Sequence, residues 1–193
     1  PFNNSPNDAS GNGHNGTLAG PLPTTDRYGV PNAAYAFDGV DDRIAVTDLN
    51  TWAISNEISI SFWVKAVESK GNLIVWAWPD ISSDRLLVSP HYFHTGSNDF
   101  AWTFGTYDGA GKCYYTGYPL NGEWEHYVVT SSAVSNTMKI YKNGSLFDNE
   151  QHAGNLTDLN RTLYIGGYFL ANFQLHGSLD DLTFHRRELT AGE

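Results

Sequence analysis

The chain has 193 residues, with 11 Lys and Arg against 21 Asp and Glu, for a formal charge of −10. A hydrophobic content of 40 % can build a core and lies far from the disordered regime, while the acidic balance excludes general binding to nucleic-acid phosphates, which needs Lys and Arg to displace counterions. The single Cys excludes an internal disulfide framework, no Cys/His spacing suits zinc, and no run approaches the ~18 apolar residues of a membrane span.

Residues 1–34 are rich in turn formers, as in Pro6-Asn7-Asp8-Ala9-Ser10-Gly11-Asn12-Gly13-His14-Asn15-Gly16 and Pro21-Leu22-Pro23. From Tyr35 the hydrophobic period is two. Ala34–Gly39 leads into Arg43–Val46, and Ile58, Ile60, Phe62 and Val64 alternate with Ser59, Ser61, Trp63 and Lys65. Tyr127–Thr130, Met138–Tyr141, Leu163–Ile165 and Leu182–Phe184 continue the pattern with β-branched and aromatic residues. Asn143-Gly144 between two such runs is a two-residue hairpin signal. No window carries a capped 3.6 period. About a dozen short strands predict an all-β, two-sheet antiparallel sandwich. The start at Pro1, without Met or leader, reads as one domain, 1–193, taken from a longer multidomain protein and monomeric when isolated.

Several segments in order resemble the concanavalin A-like (laminin G-like) jelly rolls. They are Asn7–Thr17, Ala34–Asp42, Ile58–Lys65, Trp124–Thr130, Lys139–Gly144, Leu163–Gly166 and Gly177–Leu182. The middle of the chain, 71–120, matches poorly. The resemblance implies a jelly-roll sandwich, often with one bound calcium, in a module that usually recognises carbohydrate or protein.

Calcium takes six to eight oxygen ligands, and a glycine-rich loop can aim several carbonyls at one point. Asp8 supplies charge there and Asn12 an amide oxygen. If Leu182 and Phe184 face the core, strict alternation sends Asp180 inward too, where its charge needs compensation. A structural calcium tying Asp8 and Asn12 to Asp180 would provide it, and the resemblance implies the same pair of carboxylates. The alternative is that Asp8 and Asn12 make Asx-type turns and Asp180 accepts backbone N–H groups.

Of the 6 Trp, 11 Tyr and 10 Phe, eleven residues fall within 71–120. Flat rings stack on sugar faces while nearby polar groups take hydroxyls. Trp76, Trp78, Tyr92 and Trp102 are the candidate stacking residues. His91 and His94, placed in loops together with Arg85, Asn98 and Asp99, are candidate hydroxyl contacts. The competing fate is the core, since a sandwich buries one face of every strand. Rings on both strand parities nonetheless predict that some are exposed.

A glycosidase needs a suitably spaced carboxylate pair. Glu123 and Glu125 qualify by spacing, but Trp124, His126 and Val128 read as the inward face, which makes both Glu residues solvated. No nucleophile elbow, His-Glu-x-x-His or phosphate loop occurs. The chain therefore reads as a non-enzymatic, lectin-like carbohydrate-binding module of a secreted or surface-anchored enzyme or adhesin. Its alternatives are a protein-binding or spacer module of an adhesin, and a polysaccharide lyase or hydrolase with an unfamiliar site.

Overall fold

A computed structural model describes residues 2–47, 56–66, 71–77, 84–94, 97–106, 111–116, 121–151, 162–168 and 173–193, with backbone alone at 84–85, 91–94, 97–99, 106 and 111–116. No helix occurs among these residues, so none is long and apolar enough to cross a membrane. The chain forms β1 (Gly16–Ala19), β2 (Leu22–Thr24), β3 (Ala34–Asp38), β4 (Arg43–Val46), β5 (Glu57–Ala66), β6 (Val75–Ala77) and β7 (Asp84–His94). It continues with β8 (Ser97–Thr106), β9 (Gly111–Thr116), β10 (Trp124–Ser132), β11 (Thr137–Lys142), β12 (Ser145–Gln151), β13 (Leu163–Ile165) and β14 (His176–His185).

Two seven-stranded sheets result, ordered β1-β4-β13-β6-β7-β8-β9 and β12-β11-β10-β5-β14-β3-β2. All pairings are antiparallel. The chain crosses between sheets repeatedly, so β14 docks between β5 and β3, and β13 between β4 and β6. This is the expected jelly-roll sandwich. Asn143 and Gly144 both take positive φ and close the β11–β12 hairpin, with Lys142 opposite Ser145.

Alternation decides the interior. Ile58, Ile60, Phe62 and Val64 of β5 meet Phe100, Trp102 and Phe104 of β8 in one buried cluster that also holds Tyr127, Val129, Met138 and Ile140. Phe62, Tyr127 and Phe100 form a run of rings with centroids 5.6 and 5.0 Å apart. Rings at such separations gain beyond simple area burial.

A second, smaller cluster lies apart from this core. Leu73, Trp76, Leu87 and Ala101 are buried, with Tyr164, Tyr168 and Phe173 packed against them. Trp76 pairs with Tyr164, whereas its neighbour Val75 belongs to the main core, so this cluster occupies the outer face of the first sheet.

Candidate functional site

A groove of about 1230 Å³ separates the N-terminal loop from β14, with Asp8, Asn12 and His14 on one wall and Asp181, Leu182 and Phe184 on the other. Asp8 is fixed by its own loop. Its Oδ1 accepts the Ser10 N–H at 2.8 Å and its Oδ2 the His14 N–H at 3.2 Å. Burial alone would raise this carboxyl, but the bonds from Ser10 and His14 outweigh it and hold the group below its ordinary range. Asn12 donates its side-chain N–H to Ser10 Oγ at 2.8 Å. The Asx-type arrangement is therefore present.

Asp180 departs from the expected geometry. It pairs with Trp63, yet Thr183 pairs with Ser61, so a bulge inserts one residue into β14. Asp181, at φ 49°, is the left-handed residue in this bulge. The insertion resets alternation: Leu179 and Phe184 both pack toward the core, while Asp180 shares the outer face with Trp63. Its carboxylate is fully buried there, accepting Arg27 Nη1 at 2.8 Å and the Asp181 N–H at 2.7 Å. Arg27 Nη2 reaches Asp181 at 2.7 Å. Arg27 thus supplies the compensating charge expected of a metal, and Asp180 does not line the groove with Asp8. Burial pushes the Asp180 carboxyl up, whereas Asp181 is held low because its partners, Arg27 among them, outweigh burial.

Arg27 also organises the outer face of the second sheet. Its guanidinium lies 4.4 Å from the Tyr28 ring centre and 4.6 Å from that of Trp63, which stacks on His126 at 5.0 Å. A column Tyr28–Arg27–Trp63–His126 therefore runs across the sheet, ending in a Tyr28 that is 75 % exposed. Such cation–ring contacts contribute about 0.5–2 kcal/mol each, depending on desolvation. His126 Nε2 bonds Ser61 Oγ at 2.9 Å. Burial, then Arg27, lowers the His126 pKa against the opposing pull of Asp181, which keeps the ring neutral at pH 7.

Beside the column, Trp124 and Val128 of β10 and Tyr141 of β11 are half-buried on the same outer face. Trp124 sits opposite Lys65, and Val128 opposite Ser61 and Tyr141. The far end of this face is covered by the C-terminal segment. There Ser59 Oγ bonds the Arg187 carbonyl and accepts the Leu189 N–H, while Glu188 binds Lys139, Ser135 and Thr137.

The 71–120 nominees have other fates. Trp102 is fully buried between the sheets, with its indole N–H donating to the Thr130 carbonyl at 2.9 Å. Trp76 is 4 % exposed, stacked on Tyr168 at 5.3 Å and flanked by Phe173. At Trp76 and Trp102 both parities are closed, the outer one because Tyr168 and Phe173 pack against Trp76. Trp78 lies outside the described residues, as do the side chains of Tyr92, His91 and His94. Their backbone belongs to β7, so His91 and His94 stand on a strand rather than in a loop, as do Arg85, Asn98 and Asp99.

Glu125 is also corrected. Tyr127 and Val129 occupy the core, so Glu125 of the same parity points inward and is 5 % exposed. It binds Lys142 Nζ at 2.9 Å and accepts the Tyr127 O–H at 2.8 Å. Trp124 and His126 take the outer face. Burial raises the Glu125 carboxyl and lowers the Lys142 amine. With Glu123 exposed at the strand start, the two carboxylates do not converge. Among the described residues, Asp38, Asp41 and Asp42 form one further acidic group. It is a turn, in which Asp42 Oδ2 accepts the Asp38 N–H and Asp38 Oδ1 accepts those of Val40 and Asp41.

The sequence lacked a cue for the Arg27 column, because Arg27, Trp63, His126 and Asp180 are remote along the chain. Trp63 and Lys65 stood on the polar parity of β5, and a Trp on a polar parity was the available signal.

The structure is similar to domain 4 of AbnA, an extracellular arabinanase of Geobacillus stearothermophilus solved with arabinotriose. The TM-score is 0.76 at 20 % identity, over 99 % of this chain and 92 % of that one. It is also similar to the receptor-binding domain of botulinum neurotoxin C/D mosaic serotype (TM-score 0.67, 19 % identity, 96 % of this chain and 46 % of that one). The binding domain of botulinum neurotoxin serotype G gives 0.69 at 16 % identity, over 94 % of this chain and 46 % of that one. The chain thus spans about half of each toxin domain. No curated protein sequence matches it. The family model described as the concanavalin A-like lectin/glucanases superfamily matches residues 38–193, so the chain belongs to that superfamily, in its laminin G-type branch.

Proposed function

We propose that the chain is a non-catalytic glycan-binding module of a secreted or surface-anchored enzyme or adhesin. One observation carries the reading: the outer face of the second sheet presents half-buried rings beside polar groups, while the nearby carboxylates are committed to structural partners. Trp124, Trp63 and Tyr141 make no side-chain hydrogen bond among the described residues, nor does the second ring nitrogen of His126. Glu125, Asp180 and Asp181 are engaged by Lys142, Tyr127 and Arg27. Rings with open donors suit sugar faces and hydroxyls. Fold likeness to a domain solved with arabinotriose, from an extracellular enzyme, supports the same reading.

The test is a glycan array paired with a product assay. Retention of a glycan without new reducing ends is the expected result. Cleavage would make the chain an enzyme, and silence on the array beside capture of a protein would make it a protein-binding module.

A structural calcium belongs to the proposal. Asp8 and Asn12 line the same groove as Asp181, from its other wall, and each Asp8 oxygen retains a lone pair beyond its N–H bond. On the β14 side the proposed carboxylate is Asp181 rather than Asp180, since Asp181 lines the groove, and calcium there would compete with Arg27 for it. Calcium would join the N-terminal loop to the β14 bulge and add stability by mass action. Chelation should lower the thermal midpoint reversibly; an unchanged midpoint would remove the metal from the proposal.

A further inference from the structure

The charges around the exposed rings narrow the kind of glycan. Three basic residues border the outer face of the second sheet, Arg27, Lys65 and Lys139, while Lys142 lies on the inward parity beside Glu125 and Tyr127. Arg27 is held by Asp180 and Asp181, Lys139 by Glu188, and Lys142 by Glu125. Lys65 has no ion pair among the described residues and is exposed, opposite Trp124. The chain as a whole carries −10. A polyanionic sugar would approach a strongly negative protein and, on this face, meet one cation without an ion pair among the described residues.

What the face does offer is uncharged. Trp124 has an open indole N–H, Tyr141 a free hydroxyl, and the neutral His126 a free ring nitrogen beside Ser61. Trp63 is held edge-on, since Arg27 covers one face and His126 the other, so stacking falls to Trp124 and Tyr141. The Arg27–Tyr28 column bounds the patch on the β14 side, and the C-terminal segment over Ser59 bounds one end.

Resting on the glycan-binding reading above, we infer that this patch binds a neutral glycan chain, stacked on Trp124 and Tyr141 and hydrogen-bonded by His126. Uncharged hydroxyls satisfy its donors and acceptors without calling on the occupied cations. The binding is consequently insensitive to salt, because no exposed ion pair forms that salt could screen.

Titration calorimetry on the whole chain tests this with neutral arabino-, xylo- and cello-oligosaccharides, and with oligogalacturonate as the acidic probe. A neutral oligomer should bind, with affinity changing less than about twofold between low and high salt. Trp124→Ala and Tyr141→Ala should each weaken it about tenfold, the loss of one stacking contact. Lys65→Ala should leave it unchanged. Trp124→Phe keeps a ring and should retain most of the affinity, and an unaltered thermal midpoint shows that each variant is folded. Tighter binding of oligogalacturonate, or loss of affinity in Lys65→Ala, overturns the neutral assignment. Undiminished binding in the Trp124→Ala/Tyr141→Ala double variant moves the site elsewhere while leaving a glycan-binding module. Failure of every probe, acidic and neutral, overturns both.

Discussion

The outer faces of the two sheets start from similar material and end differently. On the first sheet, Trp76 is closed under Tyr168 and Phe173 and becomes part of a second small core. On the second, Trp63 and Trp124 stay half-exposed because the C-terminal segment covers only the end around Ser59. The ring itself does not decide between packing and recognition. A covering segment does, and that segment lies far away in sequence.

The largest test of this contrast is Trp76→Ala. A buried indole removed from a closed cluster should cost about 3–5 kcal/mol, through lost burial and a residual cavity. Trp124→Ala on the open face should cost well under half of that, and urea unfolding of the pair measures the difference. Equal losses would mean that the second face is as closed as the first.

Arg27→Met comes next. It leaves Asp180 buried and uncompensated, which costs about 3 kcal/mol when one partner of a buried pair is removed. The companion Arg27→Met/Asp180→Leu double variant removes both charges and should recover much of the loss. If it recovers nothing, the ring contacts to Tyr28 and Trp63, rather than the charge, hold the column together.

The same residues show what could be read from sequence and what could not. Strict alternation in Ile58–Lys65 and the Asn143-Gly144 turn are local signals, and the strands, hairpin and jelly roll follow from them. Alternation fails where a residue is inserted. Asp180 was expected inward with Leu182, but the bulge at Asp181 reverses it to the outer face, and no local signal marks an extra residue in a strand. Glu125 fails for another reason. Trp124, His126 and Val128 look more apolar than Glu125, Tyr127 and Val129, yet the second set lies inside because Lys142 and Tyr127 satisfy the carboxylate. Parity assigned by hydrophobicity misses a charge whose partner comes from another strand. The excess of rings in 71–120 was real, but Trp76 and Trp102 show it partly spent on two cores.

The smallest effect concerns the segment that leaves the second face open. Glu188 accepts Lys139 Nζ at 2.7 Å and Ser135 Oγ at 2.7 Å. Burial would raise its carboxyl, but Lys139 and Ser135 outweigh burial and lower it. A carboxyl whose folded pKa lies below its unfolded value contributes stability above the unfolded pKa, near the ordinary glutamate range. That contribution is lost as pH falls through the lower folded value. Solvent reaches this pair, so screening limits the effect to about 0.2–1 kcal/mol. Glu188→Gln should therefore lower the thermal midpoint by at most about 2–4 °C near pH 7. The gap between the two proteins should close as pH falls, because the wild-type carboxyl then protonates. A gap that persists unchanged at acid pH would assign the clasp to its uncharged hydrogen bonds. The open half of the face would then be bounded by geometry alone, independent of this ion pair.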